Sequence, residues 1–255
     1  MKTAIMLIAH GARESEGKDC LTQNSARLKE ITGLETYGGY LHIQPSIGET
    51  AEKMVGDGIE RIIAVPLFIF PGYLTDVTVR KSLGIEPGSS EGRFECGGRS
   101  AEVIFTGTFG DHPLMESVIT DVCAKYNSSP ADTTVMLIFH GNKNGAGKEY
   151  VDRCVGYLSD RGYTVMAAYN EFQEPTVEKA AETLIAEGKN VLAIPMFVSP
   201  GSHTVSDIPP KLGLDGSDVR SIGNGRTLRY AQEIGMHPGI TEILRARLGE
   251  VLDLQ

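Results

Sequence analysis

The sequence predicts an α/β protein of two similar tandem domains, each a parallel sheet of about four strands flanked by helices. Three observations carry that expectation. The chain repeats itself: T-A-I-M-L-I-A-H-G (3–11) returns as T-T-V-M-L-I-F-H-G (133–141), and A-V-P-L-F-I-F-P-G (64–72) returns as A-I-P-M-F-V-S-P-G (193–201). Short continuous apolar runs at 4–9, 61–69, 102–106, 134–139 and 191–198 suit strands buried on both faces. Helical stretches lie between those runs, and such alternation implies a parallel sheet with helices on both faces. The repeat is far longer than a solenoid unit and has the size of a small domain.

The elements follow in order. The run at 4–9 is a strand and not a leader, because the same pattern recurs at 133–139, where no leader can lie. Residues 46–57 place Ile47, Ala51, Met54 and Val55 on one helical face. Residues 176–187 do the same with Val177, Ala181, Leu184 and Ile185. Pro45 and Pro175 are expected in the first turn of these helices, with Gly58 and Gly188 after the end. The Gly/Ser-rich stretch 86–100 reads as a loop. Residues 113–127, 148–160 and 238–252 are further helices. The polar stretch Y-N-S-S-P-A-D (126–132) marks the boundary, giving domains 1–128 and 129–255.

Composition narrows the function classes. A net charge of −9 argues against a nucleic-acid surface. Cys20, Cys96, Cys123 and Cys154 form no C-x-x-C pair, so free thiols in a reducing, cytoplasmic compartment are expected. No segment is long and apolar enough to cross a membrane.

In open parallel sheets, ligands bind beyond the carboxyl ends of the strands. His10 and His140 each follow the first strand of their half, Glu171 ends the second strand of its half, and His203 lies in the loop after the third. By spacing, the first-half counterparts are His10, Leu41 and Leu74. One half therefore keeps three ligand-type residues and the other keeps one, which points to a single working site. Two imidazoles and a carboxylate suit Co²⁺, Ni²⁺, Fe²⁺ or Zn²⁺ better than Mg²⁺ or Ca²⁺. Three protein ligands leave coordination positions open for a reacting partner. The same groups accept protons near neutral pH. His112 and His237, each before a proline, are expected to be structural, His42 a lone half-buried strand residue, and Asp76 and Asp207 helix caps.

The blocks L-I-F-H-G, E-F-Q-E-P, P-M-F-V-S-P-G-S-H-T-V-S-D-I and I-G-M-H-P resemble the class II tetrapyrrole chelatases. That group includes sirohydrochlorin cobaltochelatases and ferrochelatases, and a short archaeal form that works as a symmetric dimer. The resemblance covers essentially the whole chain, once per half. It implies two similar α/β domains around a cleft. It also implies insertion of a divalent metal into sirohydrochlorin, with no ATP and no organic cofactor. His140 and His203 fall on the family's two histidines and Glu171 on its acidic ligand, with Glu174 as the competing carboxylate. The first half is then a degenerate scaffold in which His10 is a helper base or a remnant.

Co²⁺ is the expected metal substrate, for cobalamin synthesis. Fe²⁺ for siroheme and Ni²⁺ are the alternatives, and a non-catalytic metal or tetrapyrrole carrier is the alternative of another class. The macrocycle is broad, apolar and rimmed with carboxylates. Phe139, Phe197, Phe68, Phe70 and Tyr73 are candidates for its faces. His10, Asn142, Lys143, Ser202, Lys148, Arg13 and Arg80 are candidates for its polar contacts. One chain supplies both repeats, so a monomer suffices, and a homo-oligomer is also compatible.

Overall fold

The computed structural model describes residues 1–11, 19–143, 145 and 147–252; Arg13 lies outside them. The chain forms two compact units, Met1–His112 with Pro238–Gln255, and Pro113–His237.

The first unit begins with β1 (Thr3–Ala9), α1 (Cys20–Thr32), β2 (Thr36–Tyr40), α2 (Ile47–Gly56) and β3 (Arg61–Pro66). A π-helical turn, Leu74–Val79, runs into the short α3 (Arg80–Ser82), followed by β4 (Glu91–Cys96) and β5 (Arg99–Phe105). The sheet order is β2-β1-β3-β5-β4, parallel except for β4, which runs antiparallel to β5. Ala4 to Ala9 are all buried, as a strand covered on both faces requires. Alternate residues of β1 point to opposite faces: Ala4, Met6 and Ile8 pack with Ile47, Ala51, Met54 and Val55 of α2.

The second unit repeats the plan. After α4 (Met115–Lys125) come β6 (Thr133–Phe139), α5 (Lys148–Ser159), β7 (Thr164–Tyr169), α6 (Val177–Ala186) and β8 (Asn190–Pro195). A second π-helical turn, His203–Asp207, leads into α7 (Ile208–Lys211), β9 (Val219–Ser221) and β10 (Thr227–Tyr230). The order β7-β6-β8-β10-β9 again ends on one antiparallel strand. Met136 and Ile138 pack against Val177, Ala180, Ala181 and Leu184 of α6.

Each sheet thus has four parallel strands plus an antiparallel edge. The expected loop at 86–100 holds the whole of that edge strand in the first unit. Cys96 and Arg99 are joined by Gly97 and Gly98, both at positive φ (57° and 75°), the backbone of a two-residue hairpin turn. The strand was hidden because its outward residues are polar and its inward ones only half-buried. Helices α2 and α6 start where expected, but the caps are Ser46 and Thr176 and not the prolines before them; α1, over 20–32, is a helix that the sequence reading did not place. The Ser46 hydroxyl accepts from the Glu49 amide while the Glu49 carboxylate accepts from the Ser46 amide, a capping box. Thr176 accepts from the Lys179 amide. Each cap contributes about 1 kcal/mol.

The repeats of sequence are not the units of packing. The expected boundaries, 1–128 and 129–255, assign each terminal helix to its own repeat, whereas α4 packs in the second unit and α8 (Ile240–Gly249) in the first. In the first unit the Thr241 hydroxyl donates to the buried Asn24 Oδ1 at 2.7 Å. Arg247 reaches Thr108 O at 2.8 Å and Asp111 Oδ1 at 2.7 Å. In the second unit Arg161 pairs with Glu116 at 2.7 Å. Apolar periodicity shows that a helix has a face to bury, not which sheet receives it.

Cys20, Cys123 and Cys154 are buried, and burial pushes their thiols up to about 12, 11 and 12. Among the described residues no helix is long and apolar enough to cross a membrane.

Candidate metal centre

The second unit brings His140, Glu171 and His203 together at the carboxyl edge of its sheet, with one ligand atom from each within 4.8 Å of the others. Strand pairing places the first two. Phe139 lies opposite Tyr169 in the β6–β7 ladder. Beyond it, the Asn170 amide donates to Phe139 O and the Glu171 amide to His140 O, both at 2.9 Å. Gly141 makes this approach possible. It has a φ of +85°, and a Cβ there would lie 2.0 Å from the Glu171 carbonyl oxygen. His203 heads the π-helical turn, a geometry that recurs at functional sites.

Hydrogen bonds fix which nitrogens face the centre. His140 Nδ1 lies 2.9 Å from Gly141 O, and a carbonyl only accepts, so Nδ1 carries the proton and Nε2 offers its lone pair. His203 Nδ1 has two neighbours that make opposite demands. Asp207 Oδ2, at 2.6 Å, accepts; the Asn170 amide nitrogen, at 3.2 Å, donates. Lys211 donates to Asn170 Oδ1 at 2.9 Å and so sets the orientation of that amide. The shorter, charge-assisted contact decides, and His203 Nδ1 is protonated toward Asp207. The two Nε2 atoms are then bare and stand 3.3 Å apart.

Two lone pairs converging beside a carboxylate repel one another unless a cation lies between them. Two imidazole nitrogens bound at about 2.0–2.1 Å to one tetrahedral ion stand about 3.3 Å apart, so the donor set fits a borderline divalent ion.

Other expected residues are placed as follows. Glu174 is engaged elsewhere. Its carboxylate binds Lys179 Nζ at 2.9 Å and the Thr176 amide at 3.1 Å, and these bonds hold its pKa below the usual value. Phe197 lies 6.4 Å from both histidine rings. Lys143 and Ser202 are exposed, and the Asn142 amide donates to Gln173 Oε1 at 2.8 Å. Phe139, expected on the substrate surface, is 5% exposed and packs toward Tyr169, because it points into the sheet's cover. Arg80, expected as an acid-group contact, is buried over the Phe105 ring and bound to the carbonyls of Thr75 and Ser89. Asp207 makes no cap hydrogen bond and holds His203 instead. Asn170, Phe172, Asp207 and Lys211 are parts of the site that the sequence did not single out as such; only the H-T-V-S-D spacing, one helical turn, signalled a pair.

The first unit corrects the assumed correspondence. The His42 amide donates to His10 O at 3.1 Å and the Leu41 amide to Ala9 O at 3.0 Å, as Glu171 and Asn170 do in the second. His42, not Leu41, is therefore the counterpart of Glu171. It is exposed, with its ring 4.4 Å from that of His10. Counting back from the prolines slips by one because the loop at 170–175 is one residue longer than that at 41–45. Leu74 heads its π-helical turn as His203 does.

Residues 4–126 and 134–251 each match the CbiX family. The chain belongs to the CbiX family. It carries the family's unit twice, which makes it a class II chelatase in tandem-repeat form. Among similar proteins, a sirohydrochlorin cobaltochelatase of Saccharolobus islandicus is 31% identical over 119 residues, 46% of this chain and 93% of its own. One from Methanopyrus kandleri is 28% identical over 137 residues, 46% of this chain and 96% of its own. Of solved structures, CbiX described as the terminal enzyme of siroheme biosynthesis in denitrifying bacteria superposes with a TM-score of 0.69. It is 15% identical, over 98% of this chain and 99% of that one. SirB from Bacillus subtilis with Fe³⁺ gives 0.68 at 16% identity, over 98% and 95%. At these identities the structures establish the CbiX-type fold.

Proposed function

We propose that this protein inserts a divalent metal into sirohydrochlorin, with Co²⁺ as its physiological metal substrate and the product destined for cobalamin. The observation that carries this reading is the pair of bare Nε2 atoms of His140 and His203, 3.3 Å apart and grouped with the Glu171 carboxylate. Such a set holds a borderline divalent ion by three donors and leaves the rest of its coordination sphere to water and the incoming macrocycle. The names of the cobaltochelatase relatives support cobalt.

Insertion exchanges ligands. The ion sheds water and passes from the protein donors to the ring nitrogens, while two protons leave those nitrogens. Each imidazole or carboxylate freed by the departing ion becomes a base beside a nitrogen that must lose a proton, so one cluster serves in turn as metal holder and proton acceptor. Asp207 keeps the His203 proton on Nδ1 so that Nε2 stays available. No energy source is needed beyond the greater affinity of the macrocycle for the ion. One chain holds all three donors.

The test is an anaerobic absorbance assay with sirohydrochlorin and Co²⁺, Fe²⁺ or Ni²⁺ in turn, comparing wild type with His140→Ala. A wild-type rate well above the spontaneous one, fastest with Co²⁺ and abolished in the variant, is expected. A rate no greater than the spontaneous one, with the macrocycle still bound, would assign the protein to a carrier role. A higher rate with Fe²⁺ would assign it to siroheme.

A further inference from the structure

Phe172 is exposed on a strained stretch of backbone. It is a large apolar side chain, 56% exposed, immediately after the ligand Glu171. Its φ is +62°, in the left-handed region. The other described non-glycine residues at positive φ are Asn127 and Asn224, a residue type that tolerates that region; a bulky aromatic does not. The Glu171 carbonyl accepts from the Gln173 amide at 2.8 Å, so Phe172 is the central residue of a γ-turn with positive φ, the rare and strained form.

The chain therefore holds an unfavourable backbone in order to keep an aromatic ring in water. The ring lies 6.2 Å from that of His140, tilted by 39°, and Lys143 Nζ stands 5.4 Å over its face. In the first repeat the corresponding residue, Ile43, is half-buried and its φ is not positive. Its side chain lies against Gly11, 2.8 Å from where a Cβ there would sit. The exposed, strained aromatic is thus confined to the repeat that holds the His/Glu/His cluster. Strain at a site is kept where a ligand uses the geometry.

We propose that Phe172 is the platform on which the macrocycle lies beside the metal ligands, with Lys143 swinging from the ring to a carboxylate on the macrocycle's rim. A flat, apolar, polyanionic ligand is the chemical class that uses an open aromatic face and a mobile ammonium together. This inference rests on the chelatase reading and adds to it the surface that receives the substrate.

The test is equilibrium binding of metal-free sirohydrochlorin to wild type, Phe172→Gly and Phe172→Tyr, followed through the absorbance of the macrocycle. Co²⁺ binding and the thermal midpoint are measured alongside. Glycine fits a positive φ without strain. Phe172→Gly is therefore expected to melt no earlier than wild type, to bind Co²⁺ as well, and to bind sirohydrochlorin roughly tenfold more weakly, about 1.4 kcal/mol. Phe172→Tyr restores binding, and in turnover the glycine variant raises KM more than it lowers kcat. Unchanged sirohydrochlorin binding in Phe172→Gly overturns the inference and leaves the chelatase reading standing. Early melting or lost Co²⁺ affinity in that variant makes Phe172 a structural residue and also overturns it. A wild type that binds no sirohydrochlorin overturns the functional reading and this inference with it.

Discussion

Asp207 Oδ2 lies 2.6 Å from Nδ1 of His203, one helical turn away in the sequence. A carboxylate in that place fixes the tautomer and aims the ring. Asp207→Ala is expected to weaken Co²⁺ binding by about 10–100-fold while the protein stays folded. Asp207→Asn, which still accepts a hydrogen bond but carries no charge, should lose less. Titration of Co²⁺ by its visible absorbance, with circular dichroism on the same samples, checks both. Wild-type affinity in Asp207→Ala would remove the carboxylate from the site.

The proposed metal ligands should matter more than their outer partner. His140→Ala and His203→Ala are expected to lower the insertion rate by more than about 100-fold, beyond the usual effect of losing an outer partner. His10→Ala and His42→Ala, which sit in the unit without a carboxylate or second imidazole at position 74, should keep most of the activity. Initial rates for the four variants decide the matter. Equal losses from all of them would show that both repeats take part in the chemistry.

Two glycines separate crowding from backbone conformation. Gly58 has a φ of +80° with nothing within 4 Å of a Cβ, whereas Gly141 has a φ of +85° and a Cβ there would strike the Glu171 carbonyl oxygen at 2.0 Å. Gly58→Ala should cost about 1–2 kcal/mol, the penalty for a left-handed non-glycine residue. Gly141→Ala should cost more, and it should also displace Glu171 and weaken Co²⁺ binding. Urea unfolding of each variant, paired with metal titration, measures both effects. A Gly141→Ala protein with normal affinity would mean that the loop at 170–175 adjusts freely.

Burial, helped by the nearby Arg247 guanidinium, lowers the pKa of His112 from its ordinary 6.5, against the opposing pull of Glu250 and Asp111. Burial lowers that of His237 as well. Below pH 6.5 the unfolded chain takes up protons that the folded one resists. The stability these groups contribute is therefore complete above about pH 6.5 and is lost as pH falls through their folded values. Urea midpoints between pH 5 and 8 should fall on the acid side, and His112→Gln should flatten the slope. A profile unchanged by that substitution would place the acid sensitivity elsewhere.

Much of this was legible in the sequence because it rests on periodicity. Buried strands show as unbroken apolar runs, α2 and α6 show as stripes such as Ile47/Ala51/Met54/Val55, and the two copies check each other. The His140/Glu171/His203 grouping follows from strand ends in a parallel sheet. What stayed hidden depends on matters that spacing does not encode. A one-residue difference in loop length masked His42 behind Leu41. An edge strand with half-polar faces looked like a loop. The positive φ of Phe172 leaves no mark in E-F-Q-E-P. Asp207 resembled a cap because an aspartate before a short helix usually is one, and only its ring partner shows otherwise.

The exchange of α4 and α8 bears on how the protein is made. Synthesis proceeds from the N-terminus, and domains usually fold as they emerge. Residues 1–112 leave the ribosome with all five strands of their sheet, yet the helix that finishes their unit emerges only after every strand of the second sheet. At roughly 5–20 residues per second, the wait is on the order of ten seconds. Throughout that interval the nascent first unit presents the apolar surface that Ile240, Ile243, Leu244 and Leu248 will later cover, and a chain stopped just before α8 keeps the whole second unit while its first stays unfinished.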